Sequence, residues 1–259
     1  MNTVKFEVRD KIATITMSRP EKLNAINNEM IQDLFESFHE VNTNDDIWVA
    51  VLAGEGRAFS TGHDLVMSGG GERREAKPGV PSGNTDNLYT YLSELEKPII
   101  AAPSGYALAQ GAGLALLCDF RIAADDSKFG WPQVKRGIAS ISGPTILTHY
   151  VPFGYALMML FTGEFIDAEA GYRVGLVQEV VPKAKHMDRV YEVAQMIAGN
   201  APLAVRTIKK AAVTGRAIPN FADRVKNSSQ WAAKIRESED SKEGLRAFAE
   251  KRAPTFRGR

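Results

Sequence analysis

Cysteine is almost missing from this chain of 259 residues: Cys118 is the only one. No internal disulfide can form, so a reducing cytosol is the expected setting. Long apolar runs are missing as well. Stretches such as Leu114–Cys118 fall far short of the ~20 residues that a membrane helix needs. Lys5, Glu7, Arg9, Asp10 and Lys11 interrupt every possible apolar core near the start, so no cleavable leader is expected. Histidines are few and scattered, at 39, 63, 149 and 186, and share no ligand spacing with the lone cysteine. No metal site is expected.

Net charge is nearly absent too, at +1, but it is unevenly distributed. From Asn200 onward there are 14 Lys and Arg against 6 Asp and Glu, and before it 18 against 25. These basic residues are interspersed with apolar positions at helical spacing rather than run together. They read as a solvated helical face, with a small polyanion such as a nucleotide phosphate as the alternative and no nucleic-acid tail.

Apolar residues at 44% and charged residues at 24% fit a globular protein with a sizeable core. Alternation at Val4–Val8 and Ile12–Met17 predicts paired strands. Ile31, Leu34, Phe35, Phe38 and Val41 predict an amphipathic helix over Asn27–Val41. Strands are expected at Val49–Leu52, Ile99–Ala102, Phe120–Ala123 and Val177–Val181. Between them lie helices at Asp86–Glu96, Gln110–Leu117, Gly143–Tyr150, Phe153–Phe161 and Ala168–Val174. Beyond Pro182 the pattern is helical throughout, near 186–199, 202–214, 219–236 and 240–251. Mixed elements followed by helices alone predict an α/β core over 1–190 and a helical module over 191–259. Residues 66–85, with Gly69-Gly70-Gly71, Glu72 and Glu75, have no apolar period and read as a long loop.

Two segments are poor for packing and good for backbone hydrogen bonding: Ala58-Phe59-Ser60-Thr61-Gly62-His63-Asp64-Leu65 and Gly105 to Leu114. Small residues admit a close approach to the backbone. The second segment opens a helix, whose free N–H groups favour an anionic oxygen. One N–H from each would make an oxyanion hole, although composition alone favours a tight packing site.

These stretches resemble the signature segments of the crotonase, or enoyl-CoA hydratase/isomerase, superfamily. In order come Arg19-Pro20-Glu21-Lys22-Leu23-Asn24-Ala25, Phe59 to Asp64, Lys97 to Ala102, and Gly105-Tyr106-Ala107-Leu108 with Cys118-Asp119. Gly175-Leu176-Val177 and Glu243-Gly244 with Ala247-Phe248 follow, so the resemblance spans nearly the whole chain. It implies a spiral of ββα units, a C-terminal helical trimerisation module, and a coenzyme A thioester as substrate. It also implies fatty-acid-type metabolism in the cytoplasm, a homotrimer or dimer of trimers, and neither metal, separate cofactor, nucleic acid nor membrane.

Carried over position by position, the oxyanion donors look like the backbone N–H groups of His63 and Gln110, with Gly111 keeping a family glycine. Gln110 stands where relatives usually have glycine, which is tolerable only if φ there is negative. Lys22, Leu23 and Ala25 resemble the segment lining the adenine and phosphate pocket. Ser60, Gly62 and Asp64 correspond to the pantetheine path, and Phe248 and Lys251 to C-terminal residues that reach the nucleotide.

Relatives that hydrate enoyl thioesters carry two glutamates. Here Gly113 and Gln133 stand in their places, and neither can carry a proton as a carboxylate does. Asp86, at the head of the expected second helix, is a substitute acid or merely a helix cap. Ser140 and Ser142 occupy mechanism-specific positions without a partner base, and Tyr89 and Tyr91 face the acyl chain or simply pack. The expected function is an acyl-CoA enzyme that stabilises a thioester enolate or oxyanion. Hydration by another acid/base, hydrolysis, decarboxylation, isomerisation and non-catalytic acyl-CoA binding all stay open.

Overall fold

The structure is a computed structural model describing residues 1–65 and 77–259; the expected features at Gly69–Gly71, Glu72 and Glu75 lie outside the described residues. Strands β1 (Val4–Arg9) and β2 (Ile12–Met17) form an antiparallel hairpin, with Val4 opposite Met17 and Arg9 opposite Ile12. Its turn residues Asp10 and Lys11 both have positive φ, the conformation that matches strand twist in a two-residue hairpin. Helix α1 (Asn28–Thr43) is capped by Asn27, whose side chain accepts from the Met30 N–H. It buries Met30, Leu34, Phe35, Phe38 and Val41 along one stripe.

Three turns of a spiral follow, each a strand, a second strand and a helix. They are β3 (Val49–Gly54), β4 (Ala58–Ser60) and α2 (Thr85–Ser93); β5 (Ile99–Ala102), β6 (Tyr106–Leu108) and α3 (Gln110–Leu117); and β7 (Phe120–Ala124), β8 (Lys128–Gly130) and α4 (Ser142–Thr145). Then come α5 (Phe153–Thr162), β9 (Ile166–Asp167), α6 (Ala168–Arg173), β10 (Glu179–Val181), α7 (His186–Ala198), α8 (Pro202–Arg216), α9 (Phe221–Ile235) and α10 (Glu239–Glu250).

Alternate strands belong to different sheets. The larger runs β1-β2-β3-β5-β7-β10, parallel from β2 onward; the smaller runs β4-β6-β8-β9, with only β9 antiparallel. Parallel strands are covered on both faces, which is why β3 and β5 read as continuous apolar runs instead of alternating. One face meets the large core of α1, α2 and α3. The other carries Val49, Val51, Ile100 and Ile122, and α7 covers it with Val190 and Ala194. Each valine or isoleucine among them contributes about 1.5–3 kcal/mol on burial. The expected boundary after residue 190 thus falls inside a helix that packs on the sheet.

Beyond α7 the helices leave the sheet. Arg206 and Lys209 tie α8 to the core edge through Glu96 and Asp119, at 2.7 and 2.9 Å. Helix α9 buries none of its residues, and Phe221, Val225, Leu245 and Phe248 stand exposed.

Candidate active site

The small sheet brings together the two segments that carry the expected donors. Strands β4 and β6 are parallel neighbours in which Ser60 pairs with Ala107. His63 lies three residues beyond Ser60, and Gln110 three beyond Ala107. Gly62 N–H donates to the Ser60 hydroxyl at 3.2 Å and its carbonyl accepts from Ile26 N–H at 2.8 Å, while Asp64 N–H donates to the Ile26 carbonyl at 3.0 Å. The Gly62 carbonyl and the His63 N–H belong to one trans peptide group and point opposite ways. The His63 N–H therefore faces away from Ile26. A Cβ on Gly62, which has φ +91°, would lie 3.1 Å from the Gln110 nitrogen, so the two segments touch where the donors sit.

Gln110 opens α3, and its N–H is one of the helix's free N-terminal donors. No described residue accepts from it or from the His63 N–H. The positive φ that the sequence raised as a hazard falls on Ala109, at φ 52° and ψ −116°, and not on Gln110. An alanine held there costs on the order of 1–3 kcal/mol. The strain lies directly between the two donors. Gly111 permits the close contact below them, since a Cβ there would stand 2.6 Å from the Ser60 carbonyl.

A cavity of about 320 Å³ opens over these groups, with His63, Tyr89, Gln110, Gln133, Arg136 and Ser142 in its walls. Among the described residues, no aspartate or glutamate lines it. The Gln110 amide donates to the Thr85 hydroxyl at 2.8 Å, and the Gln133 amide to the Ser140 hydroxyl at 3.4 Å. The Oε1 atom of each is buried without a hydrogen-bond partner among the described residues. Buried acceptors left open are costly, and a ligand that brings donors relieves that cost.

Gly113 is not the vacant place that its missing side chain suggests. A Cβ there would lie 2.6 Å from the Tyr89 hydroxyl and 2.7 Å from Ser142 Cβ. Tyr89 thus fills the space where the resembling hydratases place their first glutamate. Its hydroxyl donates to the Gln110 carbonyl at 3.2 Å. Burial pushes the phenol well above tyrosine's ordinary value, opposed by a hydrogen bond with Ser142. Tyr91 instead packs on Phe35. Ser142 accepts from the Trp131 indole at 2.9 Å and donates to the Ala109 carbonyl at 3.2 Å, so it braces the strained turn.

Other expected site residues lie elsewhere. Asp86 is exposed in the first turn of α2 and does not line the cavity, while Asn84 is the cap, paired reciprocally with Asn87. Two carboxamides thus took the role expected of one acid. Ser60 is fully buried and donates to the Asn24 carbonyl at 2.8 Å. Asp64 is buried and ion-paired with Arg19 at 3.1 Å, and Arg19 also donates to the Ala25 carbonyl. Both brace the donor loop from behind. Leu23 runs beside that loop, its carbonyl accepting from Thr61 N–H at 3.1 Å, with Ala25 just behind it and Lys22 exposed at its start. Phe248 and Lys251 project from α10 and do not line the cavity of their own chain.

The enoyl-CoA hydratase/isomerase family profile matches residues 7–259. The chain belongs to that family. An (E)-benzylidenesuccinyl-CoA hydratase of Thauera aromatica is 39% identical over 98% of this chain and 99% of its own length. A carnitinyl-CoA dehydratase of Escherichia coli K12 is 36% identical over 96% and 95%. The crystal structure of an enoyl-CoA hydratase from Mycobacterium tuberculosis H37Rv superposes with a TM-score of 0.89 at 33% identity, covering 100% of both chains. The spiral of strand-strand-helix turns is thus the crotonase fold, and this family member is an acyl-CoA-processing enzyme.

No described helix is long and apolar enough to cross a membrane, and no described cluster of His, Cys, Asp or Glu could hold a metal ion. Cys118 is buried, which pushes its thiol up to about 12 and leaves it a packing residue.

Arg136, Thr85 and the apolar rim of Ile138 and Ile141 were not singled out from sequence. Arg136 left one signal: it follows Gln133 by three residues in the proline-opened 3₁₀ turn Pro132–Arg136, where such residues eclipse.

Proposed function

We propose that this enzyme adds water to, or removes it from, an acyl-CoA thioester through an enolate held by two backbone N–H groups. The thioester carbonyl oxygen sits between the His63 and Gln110 N–H groups, which strengthen as negative charge develops on it. The observation that carries this reading is a pair of N–H groups, of His63 and Gln110, without partners among the described residues, on neighbouring segments whose residues line one cavity. Addition breaks a water O–H bond, joins its oxygen to the β-carbon and places a proton on the α-carbon. Gln133 and Ser140 hold the water, and the proton it releases goes to the Tyr89 phenolate left once that hydroxyl has protonated the α-carbon. The Tyr89 hydroxyl, in the space of the missing glutamate, stands nearest the α-carbon, and its high pKa keeps it protonated until an enolate forms. Relatives named as hydratases and dehydratases support water chemistry over hydrolysis.

A second reading, decarboxylation, is favoured by the cavity's lack of carboxylates among the described residues, because loss of CO₂ needs the oxyanion hole and no base. A panel of acyl-CoA thioesters analysed by mass spectrometry separates the readings. Gain or loss of water supports the first, and loss of carbon dioxide the second. Free coenzyme A would indicate hydrolysis, and binding without turnover would indicate a non-catalytic role. Either of these last two outcomes refutes both readings.

Coenzyme A enters as part of the substrate, with its nucleotide end along Lys22, Leu23 and Ala25. The exposed apolar residues of α9 and α10 are covered between subunits, in a trimer or dimer of trimers, where Phe248 and Lys251 reach the nucleotide of a neighbouring protomer. Its setting is the cytoplasm.

A further inference from the structure

The 3₁₀ turn Pro132–Arg136 ends in two adjacent cations with different fates. Lys135 turns outward and pairs with Glu164 at 2.6 Å. Arg136 shares the cavity wall with Gln133, one 3₁₀ turn before it, and makes no ion pair or hydrogen bond with any described residue. With no described Asp or Glu in the walls, the cavity carries one uncompensated positive charge. Beyond Arg136, Gly137 has φ +68° and reverses the chain, which brings Ile138 and Ile141 back to the rim. Leu65 faces the same space, and all three are exposed apolar side chains. Deeper in, the buried open atoms of Gln110 and Gln133 are acceptors, which disfavour a carboxylate beside them.

We infer that Arg136 selects acyl-CoA thioesters whose acyl group carries a free carboxylate, held at the rim by the guanidinium while apolar carbons cover Ile138, Ile141 and Leu65. This rests on the reading of the cavity as the acyl pocket. A guanidinium binds a carboxylate with two parallel N–H···O bonds, which a water-filled rim does not replace. The coenzyme's phosphates are the competing anion. They are assigned to the segment Lys22–Ala25, which runs beside the donor loop and contributes no residue to the cavity wall.

The test measures binding of saturated thioesters, which cannot be hydrated, so it is independent of the reaction. Isothermal titration calorimetry compares glutaryl- and adipyl-CoA with pentanoyl- and hexanoyl-CoA on the full chain, for wild type, Arg136→Gln and Arg136→Lys. Arg136 is exposed, so both variants should fold, and circular dichroism checks this. Wild type should bind the best carboxylated thioester roughly 10- to 100-fold more tightly than its plain counterpart. Arg136→Gln should erase that preference while changing plain acyl-CoA affinity less than about two-fold, and Arg136→Lys should keep part of it. Equal wild-type affinity for both classes overturns the proposal. So does an equal loss for both classes in Arg136→Gln, which would put the guanidinium on the nucleotide phosphates. Failure of the water-addition reading would appear only in the product analysis and leave these affinities unchanged.

Discussion

Replacing Gln133 by glutamate exchanges an amide nitrogen for an oxygen and leaves the shape of the cavity wall intact. Ser140 Oγ accepts from Gly143 N–H at 2.9 Å, so its own hydrogen is free to turn toward the new carboxylate. A positioned general base is worth about 10²–10⁴-fold. Arg136, one 3₁₀ turn away, lowers the basicity of the new group, and the α-carbon proton must still come from Tyr89. The expected gain in crotonyl-CoA hydration is therefore at the low end, roughly 10- to 100-fold over a slow wild type. It should vanish as pH falls through the carboxylate range, where wild type is flat.

Gly113→Glu should give no such gain. Its Cβ alone would come 2.6 and 2.7 Å from Tyr89 and Ser142, against the ~3.5–4.0 Å of ordinary contact. Overpacking of that kind costs about 1–3 kcal/mol, offset only in part by the ~1 kcal/mol helix preference over glycine. The single variant should melt a few degrees lower, and clearing the ring with Tyr89→Ala should restore its fold. The assay follows loss of the conjugated thioester's ultraviolet absorbance. A Gln133→Glu enzyme no faster than Gln133→Ala at any pH would refute the reasoning, and so would a wild type that is already fast.

His63→Ala should keep most activity and His63→Pro should lose about 10²–10³-fold, or roughly 3–4 kcal/mol, with folding checked by circular dichroism. An alanine variant as inactive as the proline one would make the imidazole the working group. The buried Tyr89 phenol binds its proton more tightly in the native state than in the unfolded chain, where it ionises near pH 10. Stability should therefore be unaffected by this group below pH 10 and fall as pH rises above it, and Tyr89→Phe should flatten that alkaline decline in denaturant titrations. Light scattering at micromolar concentration should report a trimer or hexamer, and a stable monomer would leave the exposed apolar residues of α9 and α10 without the proposed cover.

The larger sheet and nearly every helix were legible from sequence because their apolar periods run for four residues or more. The smaller sheet was not. Strands of two or three residues, such as β4, β6, β8 and β9, complete no alternation, and Ala58–Ser60 reads equally well as a loop. The donors could still be placed by resemblance, since glycine and the helix start are local features. The walls were harder, because they join residues distant in sequence. Nothing near Gly113 in the chain announces that Tyr89 occupies its free volume, and nothing near Asp64 shows its pairing with Arg19. Asp86 looked available because acidity is visible in sequence, whereas orientation is not.

The pairing of Ser60 with Ala107 has a consequence for how such an enzyme can change. Each donor lies three residues beyond the Ser60–Ala107 pair, so the ~4.8 Å repeat of adjacent strands sets the scale of their separation. That interval behaves as a lattice constant. The rim residues Arg136, Ile138 and Ile141 belong to neither strand, so they can change composition without detuning it. The residues that choose a guest and those that stabilise its charge therefore vary independently. New acyl groups can be tried one loop at a time, on a hydrogen-bonding pair that never has to be reinvented.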